Sequence, residues 1–449
     1  MSIEATNSGA KSRAARSFPR SHIAAAEPAL ASAMWHVSAG EGLSTPELAQ
    51  STKADVLIIG GGFNGVSAAL RLAELGLDAC LLEAGEIGEG ASGRNAGMVN
   101  PGQFLGPEAI GQALGSDYGE VFLRELGGAP DLVRQMIARH DIDCAADFRP
   151  VIRAASDRAS ERLLSAECAQ WQSRGQPVDL LRDADLRSLT GSERWRVAMM
   201  DHRGFTIQPL AFVRGLARAA QRAGARLHQN SAVLRLWRAD GVWNVETRTG
   251  VTLKAPKVIL ATNAYSSHLH PAFAETLVTC GAYGVATRPL SSAERAQILP
   301  RGHSLYDTHR IPLFFRYDRD GRLMIGSLGF LSDGRAGPEA WARRALARLW
   351  PEIDPPGFSH VWQGTLGLTS HHMPRLIAPE EGLIGTIGCN GRGIAPNVYF
   401  GTMLADMVAG HDGPRPLPIE TRAPISGRAL RRDLMDLGMR IYRNTLLLN

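Results

Sequence analysis

The sequence predicts an α/β fold in which a parallel-sheet domain is interrupted by an α+β domain with a mixed or antiparallel sheet. Three observations predict it. Residues 56–83 read as strand, turn, helix and strand, the makings of one right-handed βαβ crossover. A second strand–helix pair recurs far along the chain, at 383–387 and 395–409. Between these lies a strand-rich stretch, residues 280–330, with a turn at Asp320-Gly321, so two halves of one domain flank an insertion. At 449 residues the chain also exceeds what one core usually fills, about 250–300 residues.

The elements follow in order. Residues 1–52 read as an N-terminal extension, rich in Ala and Ser, with Lys11, Arg13, Arg16 and Arg20 and no apolar run of secretory type. Trp35 is its expected anchor on the body. Val-Leu-Ile-Ile at 56–59 is a short apolar run of buried-strand type. Gly60-Gly-Gly-Phe-Asn-Gly65 follows. A helix then carries Val66, Ala69, Leu70, Ala73 and Leu77 on one face, with Gly76 as its stop. Residues 79–83 form the second strand. Residues 107–140 and 155–190 read as mostly helical, and 210–223 as an amphipathic helix. Strands 227–238 and 242–249 join as a hairpin through Asp240-Gly241. Residues 257–261 are another buried strand, and 338–350 a helix. Residues 428–449 read as a basic helix with Leu430, Leu434, Leu437 and Ile441 at i, i+4, i+7 and i+11. That stripe suits packing on the body or on a second subunit, with an anionic membrane surface as the alternative. The expected domains are an extension at 1–52, a discontinuous cofactor domain at 53–140, 200–275 and 362–415, a substrate domain at 141–199 and 276–361, and a helical tail at 416–449.

Composition removes several classes. Hydrophobic residues make up 44% and charged residues 21%, which excludes wholesale disorder. No run of about 18 apolar residues occurs, which excludes a transmembrane helix. Five scattered Cys argue against a disulfide framework or a Cys metal site and for a reducing, cytoplasmic setting. The net charge is +5, yet only four of the 49 basic residues are Lys, leaving 45 Arg. No basic block is dense enough for nucleic acid, and no metal is expected.

Gly60-x-Gly62-x-x-Gly65 sits between a strand and a helix, with Glu83 placed 18 residues past Gly65 at the end of the next strand. The glycines permit a tight turn, close approach to a pyrophosphate and helix–strand contact. The helix start favours the anion, and the carboxylate accepts from ribose hydroxyls. An acid at that position disfavours a 2′-phosphate, so FAD or NAD is expected over NADP. Residues 87–97 form a long polar loop of small residues suited to run beside a ligand. Gly388-Cys-Asn-Gly-Arg-Gly393 joins a strand to a helix, a second glycine-rich helix start.

Taken in order, residues 56–83, 91–97, Gly204 with Pro209, 258–264, 320–326, Trp362-x-Gly-x-x-Gly-x-Thr369 with Pro374, and 388–393 resemble the D-amino-acid-oxidase superfamily of FAD-dependent amine and amino-acid oxidoreductases. The resemblance spans roughly residues 53–410 and is closest to the γ-glutamylputrescine oxidase and glycine oxidase branch. It implies a Rossmann-like FAD-binding domain with the pyrophosphate on Gly60, Gly62, Phe63, Asn64 and Gly65, and the ribose at Glu83 and Ala84. It places Ser92, Arg94, Asn95, Ala96, Gly97 and Met98 along the isoalloxazine, Val233 at the adenine edge, and Thr262 beside the cofactor. Gly391, Arg392, Gly393 and Ile394 would face flavin N1 and O2, where a positive helix end stabilises the reduced ring. With no His in 92–97 and no Cys in 362–374, noncovalent FAD is implied.

The implied reaction is oxidation of a C–N bond by hydride transfer to flavin N5, with hydrolysis of the imine that results. The substrate is a small amine or amino acid, and the electron acceptor is oxygen or another molecule. The resemblance makes Arg316 the clamp for a substrate carboxylate, with Arg322 second and His371 or His372 aimed at flavin or substrate. Tyr306, His309 and Tyr317 are candidate pocket walls, and Trp362 packs beneath the flavin. The substrate half has no Lys, which sets the chain apart from sarcosine oxidases. Thr365 stands where the γ-glutamylputrescine branch commonly carries Lys. A D-amino-acid or proline-type dehydrogenase, or a flavin-holding subunit of a larger complex, remains the alternative, and a homo-oligomer is left open.

Overall fold

The structure is a computed structural model describing residues 30–266, 269–330 and 334–445. Residues 1–29 of the expected extension and 446–449 of the tail lie outside the described residues.

A seven-stranded sheet carries the first domain. Its strands in chain order are β1 (Val56–Ile59), β2 (Ala79–Leu82), β3 (Arg226–His228), β4 (Lys257–Leu260), β5 (Arg375–Glu380), β6 (Leu383–Ile387) and β7 (Ile419–Glu420), arranged β7-β5-β6-β4-β1-β2-β3. The run β6-β4-β1-β2-β3 is parallel throughout, while β5 lies antiparallel to β6. All four β1 side chains are buried, because both faces of a parallel sheet are covered. Val56 and Ile58 pack into the core shared with helices α1 (Phe63–Glu74), α2 (Pro209–Arg222) and α3 (Ala395–Ala409). Leu57 and Ile59 pack on the other side, against Trp243, Val245 and Leu253 of a small four-stranded sheet. The alternation along four residues is the period-2 signature of a strand between two layers.

The second sheet has eight strands, in the order Phe358–Leu368, Val278–Pro289, Arg322–Leu328, Phe314–Tyr317, Ser304–Asp307, Val151–Ala154, Val197–Asp201, Val178–Arg182. It is mixed: Ser304–Asp307 runs parallel to Val151–Ala154, and its other neighbours pair antiparallel. Leu305, Phe315, Leu323 and Ile325 face a core closed by Trp341, Ala342 and Leu346 of the helix Ala336–Leu349. Tyr306, Phe314 and Met324, one residue out of register, face the opposite side and become the floor of a cavity.

The strands Val197–Asp201 and Phe358–Leu368 run through positions 199/200 and 361/362, where domain boundaries are expected. Two secondary-structure expectations are corrected. Leu227 belongs to β3, and the hairpin is Val233–Ala239 with Val242–Thr247. Its Asp240 and Gly241 both have positive φ, 52° and 77°, which is the two-residue turn chemistry read from the sequence. The stretch 155–190 contains a strand, Val178–Arg182. Trp35 is fully buried, donates from Nε1 to the Asn95 carbonyl at 2.8 Å, and meets the Trp362 ring edge-on.

The tail forms helix α4 (Arg428–Thr445). Leu430, Leu434, Leu437 and Ile441 do not seat on the body; they stand 55–64% exposed. The opposite face does the packing, with Met439 6% exposed and its Sδ 3.8 Å from the Cys280 thiol. Among the described residues, no helix is long and apolar enough to cross a membrane.

Candidate active site

Helix α1 follows β1 and helix α3 follows β6. These strands are parallel, so both helices begin at the carboxyl edge of one sheet and open on the same crevice, where free N–H groups attract anions. The first turn is tight: a Cβ on Gly65 would lie 1.9 Å from the Gly60 carbonyl oxygen. The helices touch so closely that a Cβ on Gly401 of α3 would lie 2.2 Å from the Asn64 carbonyl. Asn64 Nδ2 donates to Thr386 Oγ1 at 2.8 Å. Its side chain therefore ties α1 to β6 and does not face the crevice.

Glu83 lies at the end of β2. Its carboxylate accepts from the Gly61 N–H at 2.6 Å and the Gly85 N–H at 3.0 Å. Burial nonetheless pushes its pKa up. Ser92 Oγ accepts from the Phe63 N–H at 3.1 Å, which joins the helix start to the long loop. Ala84 is exposed beside Glu83. Val233 opens its strand two residues after Ser231, whose N–H donates to the Glu83 carbonyl. Thr262 flanks the glycine turn, 3.3 Å from a Cβ built on Gly60.

The loop is pinned by its own polar groups. Asn95 Nδ2 donates to the Ser92 carbonyl at 2.7 Å, and its Oδ1 accepts from the Gly97 N–H at 2.8 Å. Arg94 donates to the carbonyls of Glu89 and Gln363, and its own carbonyl accepts from Trp362 Nε1 at 2.9 Å. Trp362 thus braces the loop from behind. On their outer side Arg94, Asn95, Ala96 and Met98 line a cavity of about 970 Å³, together with Gly391, Arg392, Gly393 and Ile394 before α3.

One group in that cavity stands out chemically. Arg392 is 7% exposed. Its Nη2 donates to the Tyr306 hydroxyl at 2.7 Å, and its guanidinium lies 4.2 Å over the Phe104 ring. Its Nε has no hydrogen-bond partner among the described residues, and no carboxylate pairs with it there. A buried cation without a counter-charge is costly. Two other charges in the walls are answered, Arg153 by Glu167 at 2.8 Å and Asp307 by His309 at 2.7 Å; Arg94 and Arg310 also line the cavity. Burial pulls the His309 imidazole down, but the Asp307 bond and charge outweigh it and the net shift is upward.

The three side chains expected to be catalytic lie elsewhere. Arg316 is 4% exposed and donates to the carbonyls of Ala96, Gly97, Ile207 and Tyr317. It stacks over Trp35 and is absent from the cavity wall. Burial lowers its pKa to about 10. Through Nε and Nη1 it braces the loop from beneath. Arg322 pairs with Asp318 at 3.0 Å and with Asp320 at 2.5 Å. His371 accepts from the Met373 N–H and closes its own turn; its neighbour His372 reaches the cavity. Tyr317 donates to the Ile298 carbonyl, outside the cavity, whereas Tyr306 and His309 line it. We expect Arg316→Met to lower the unfolding free energy by about 2–4 kcal/mol, the cost of orphaning buried carbonyls. In thermal denaturation that appears as a lower Tm, with no selective effect on carboxylate-bearing substrates.

Sequence reading missed Phe104, Arg153 and the α4 residues Met435, Gly438, Met439 and Tyr442 in the cavity wall. Three of these had a signal: Met435, Met439 and Tyr442 recur at i, i+4 and i+7, a second helix face opposite the leucines. Among the described residues no three His, Cys, Asp or Glu side chains gather as a metal site.

Comparison with known proteins is consistent with this geometry. The model of the DAO family, FAD dependent oxidoreductase, matches residues 55–407. The probable oxidoreductase OrdL of Rhizobium meliloti (strain 1021) is 30% identical over 405 residues, covering 88% of this chain and 93% of that protein. Gamma-glutamylputrescine oxidoreductase of Escherichia coli (strain K12) is 29% identical over 370 residues, covering 81% and 85%. The crystal structure of glycine oxidase from Geobacillus kaustophilus superposes with a TM-score of 0.66 at 22% identity, covering 80% of this chain and 96% of that one.

Proposed function

Because the chain belongs to the DAO family of FAD-dependent oxidoreductases, we propose that it oxidises the C–N bond of an amine or amino acid that carries a carboxylate. The observation that carries this reading is Arg392, a buried cation with no counter-charge among the described residues, in the wall that also holds Arg94, Asn95, Ala96 and Met98.

The residues present fit FAD. The glycine turn leaves room at Gly62, Glu83 offers a carboxylate at the ribose position, and the loop and the α3 start bound a cavity wide enough for a ring system. Gly60, Gly62 and Gly65 would carry the pyrophosphate, and the α3 start the pyrimidine edge. Bound FAD would supply the oxidant, a hydride acceptor for the C–H beside a neutral amine, and water would hydrolyse the resulting imine. No acid–base pair is required of the protein, whose part is positioning. Arg392 and Tyr306 would fix the carboxylate. The apolar walls, among them Phe104, Phe314, Leu366 and Met439, favour the neutral amine by desolvation. Noncovalent attachment is supported by the lack of His in 92–97 and of Cys in 362–374. Five free cysteines, four of them buried, support a reducing, cytoplasmic setting.

The test is anaerobic titration of the yellow protein with a panel of amines and amino acids. Carboxylate-bearing amines are expected to bleach the flavin band. A panel that leaves it intact while dithionite bleaches it overturns the reading. Peroxide release in air then distinguishes an oxidase from a dehydrogenase with another acceptor.

A further inference from the structure

We propose that the outward ridge of α4 is the seam of a homodimer, formed by antiparallel pairing of α4 with α4 of a second copy of this chain. The proposal is independent of the substrate reading.

The ridge is narrow and regular. Leu430, Leu434, Leu437 and Ile441 alternate in steps of four, three and four, the a/d spacing of a two-helix seam. Each is more than half exposed. The helix cannot roll to hide them, because its other face is committed: Met439 is seated on Cys280, and Met435, Gly438 and Tyr442 wall the cavity, whose rim the exposed Leu434 also borders. Four aliphatic side chains in a line on a fixed helix amount to an apolar patch that calls for a partner.

The register is self-complementary. A two-fold axis between residues 434 and 437 sets Leu434 against the partner's Leu437, and Leu430 against the partner's Ile441. All four apolar residues are then matched by one operation, as an isologous interface requires. The same axis brings Asp433 beside the partner's Arg440, and Arg440 beside the partner's Asp433. Both are solvent-exposed, with side-chain exposures of 64% and 46%. Their present partners, Arg432 at 3.0 Å and Asp436 at 2.8 Å, lie on the same helix. Opposite charges flanking a seam set partner orientation. A lipid surface is the poorer occupant. An interfacial helix shows a broad apolar face with aromatic anchors, whereas this ridge is one residue wide and purely aliphatic, with Asp433 and Asp436 set among the arginines beside it.

The test is the solution mass of the full-length holoenzyme at micromolar concentration, measured by light scattering after size exclusion. We expect twice the 48.3 kDa chain mass. Leu434→Asp with Leu437→Asp is expected to halve it. Asp433→Arg alone sets like charges together and is expected to raise the dimer dissociation constant about tenfold, and adding Arg440→Asp is expected to restore it. The charge swap decides the matter should the leucine variant fail to fold. A monomeric wild-type chain, a dimer indifferent to both sets of changes, or a monomer that floats with phosphatidylglycerol vesicles overturns the proposal.

Discussion

Gly62→Asp is expected to purify colourless, with a flavin-to-protein ratio below about a tenth of the parent's. The argument is steric and electrostatic. A Cβ on Gly62 would lie 2.7 Å from Ser92 Oγ, so even one carbon crowds the hydroxyl that accepts from Phe63. An aspartate adds a carboxylate at the helix start, where the pyrophosphate would sit. It would take the favourable dipole end itself and repel a second anion. Losing one charge-assisted contact costs about 1.5–3 kcal/mol, and like-charge repulsion adds to that, so retention through purification fails. Gly62→Ala is the control. Ser92 Oγ is a hydroxyl at the end of a short side chain and can turn aside, so this variant is expected to stay yellow but bind more weakly. Gly65 is the wrong position for this test. A Cβ there meets backbone at 1.9 Å and disrupts the turn itself. The ratio of visible to ultraviolet absorbance checks the result, and a yellow Gly62→Asp protein refutes the cofactor placement.

Arg392→Met is expected to raise KM for carboxylate-bearing amines about a hundredfold while changing KM for simple amines about threefold at most. Methionine keeps an apolar contact with Phe104 and Tyr306 but removes the charge. A hydrogen bond to a charged group is worth about 1.5–3 kcal/mol, or about 10- to 150-fold, and a forked guanidinium can make two. Arg392→Lys is expected to rescue little, since a point charge neither forks nor stacks as guanidinium does. Steady-state kinetics on matched substrate pairs, with and without the carboxylate, reads the difference. Equal losses on both members of each pair would leave Arg392 as a structural residue only.

The parts legible in the sequence were those decided locally. The glycine fingerprint, Glu83 at its offset and the Asp240-Gly241 turn each carry their chemistry within a few residues, and α3 begins and ends where its apolar run does. Which arginine faces the cavity was not legible. Strand alternation places Arg316 on the face of Phe314, but what covers that face is decided by the Ala96, Gly97 and Ile207 carbonyls, far away in sequence. Asp318 and Asp320 beside Arg322 were a local warning that its charge was already answered. For α4 the leucine stripe was conspicuous, yet the methionines on the other face do the packing. A long flexible side chain fills an irregular gap better than a branched one, and hydrophobicity alone does not distinguish the two faces.

The parallel sheet has a consequence for how the chain must be made. Its central ladder joins Val56 to Lys257 and Val258 to Leu383, partners separated by some two hundred and then over a hundred positions. Contacts of that range are slow to form because the intervening chain must be ordered first. The amino-terminal βαβ unit therefore waits on the ribosome with one open edge of β1 until β4 emerges, and β4 waits in turn for β6. A truncated chain ending before residue 383 would keep every glycine of the first turn and still lack the strand that completes the ladder, so it is a candidate for chaperone capture and degradation before it can serve as a smaller enzyme.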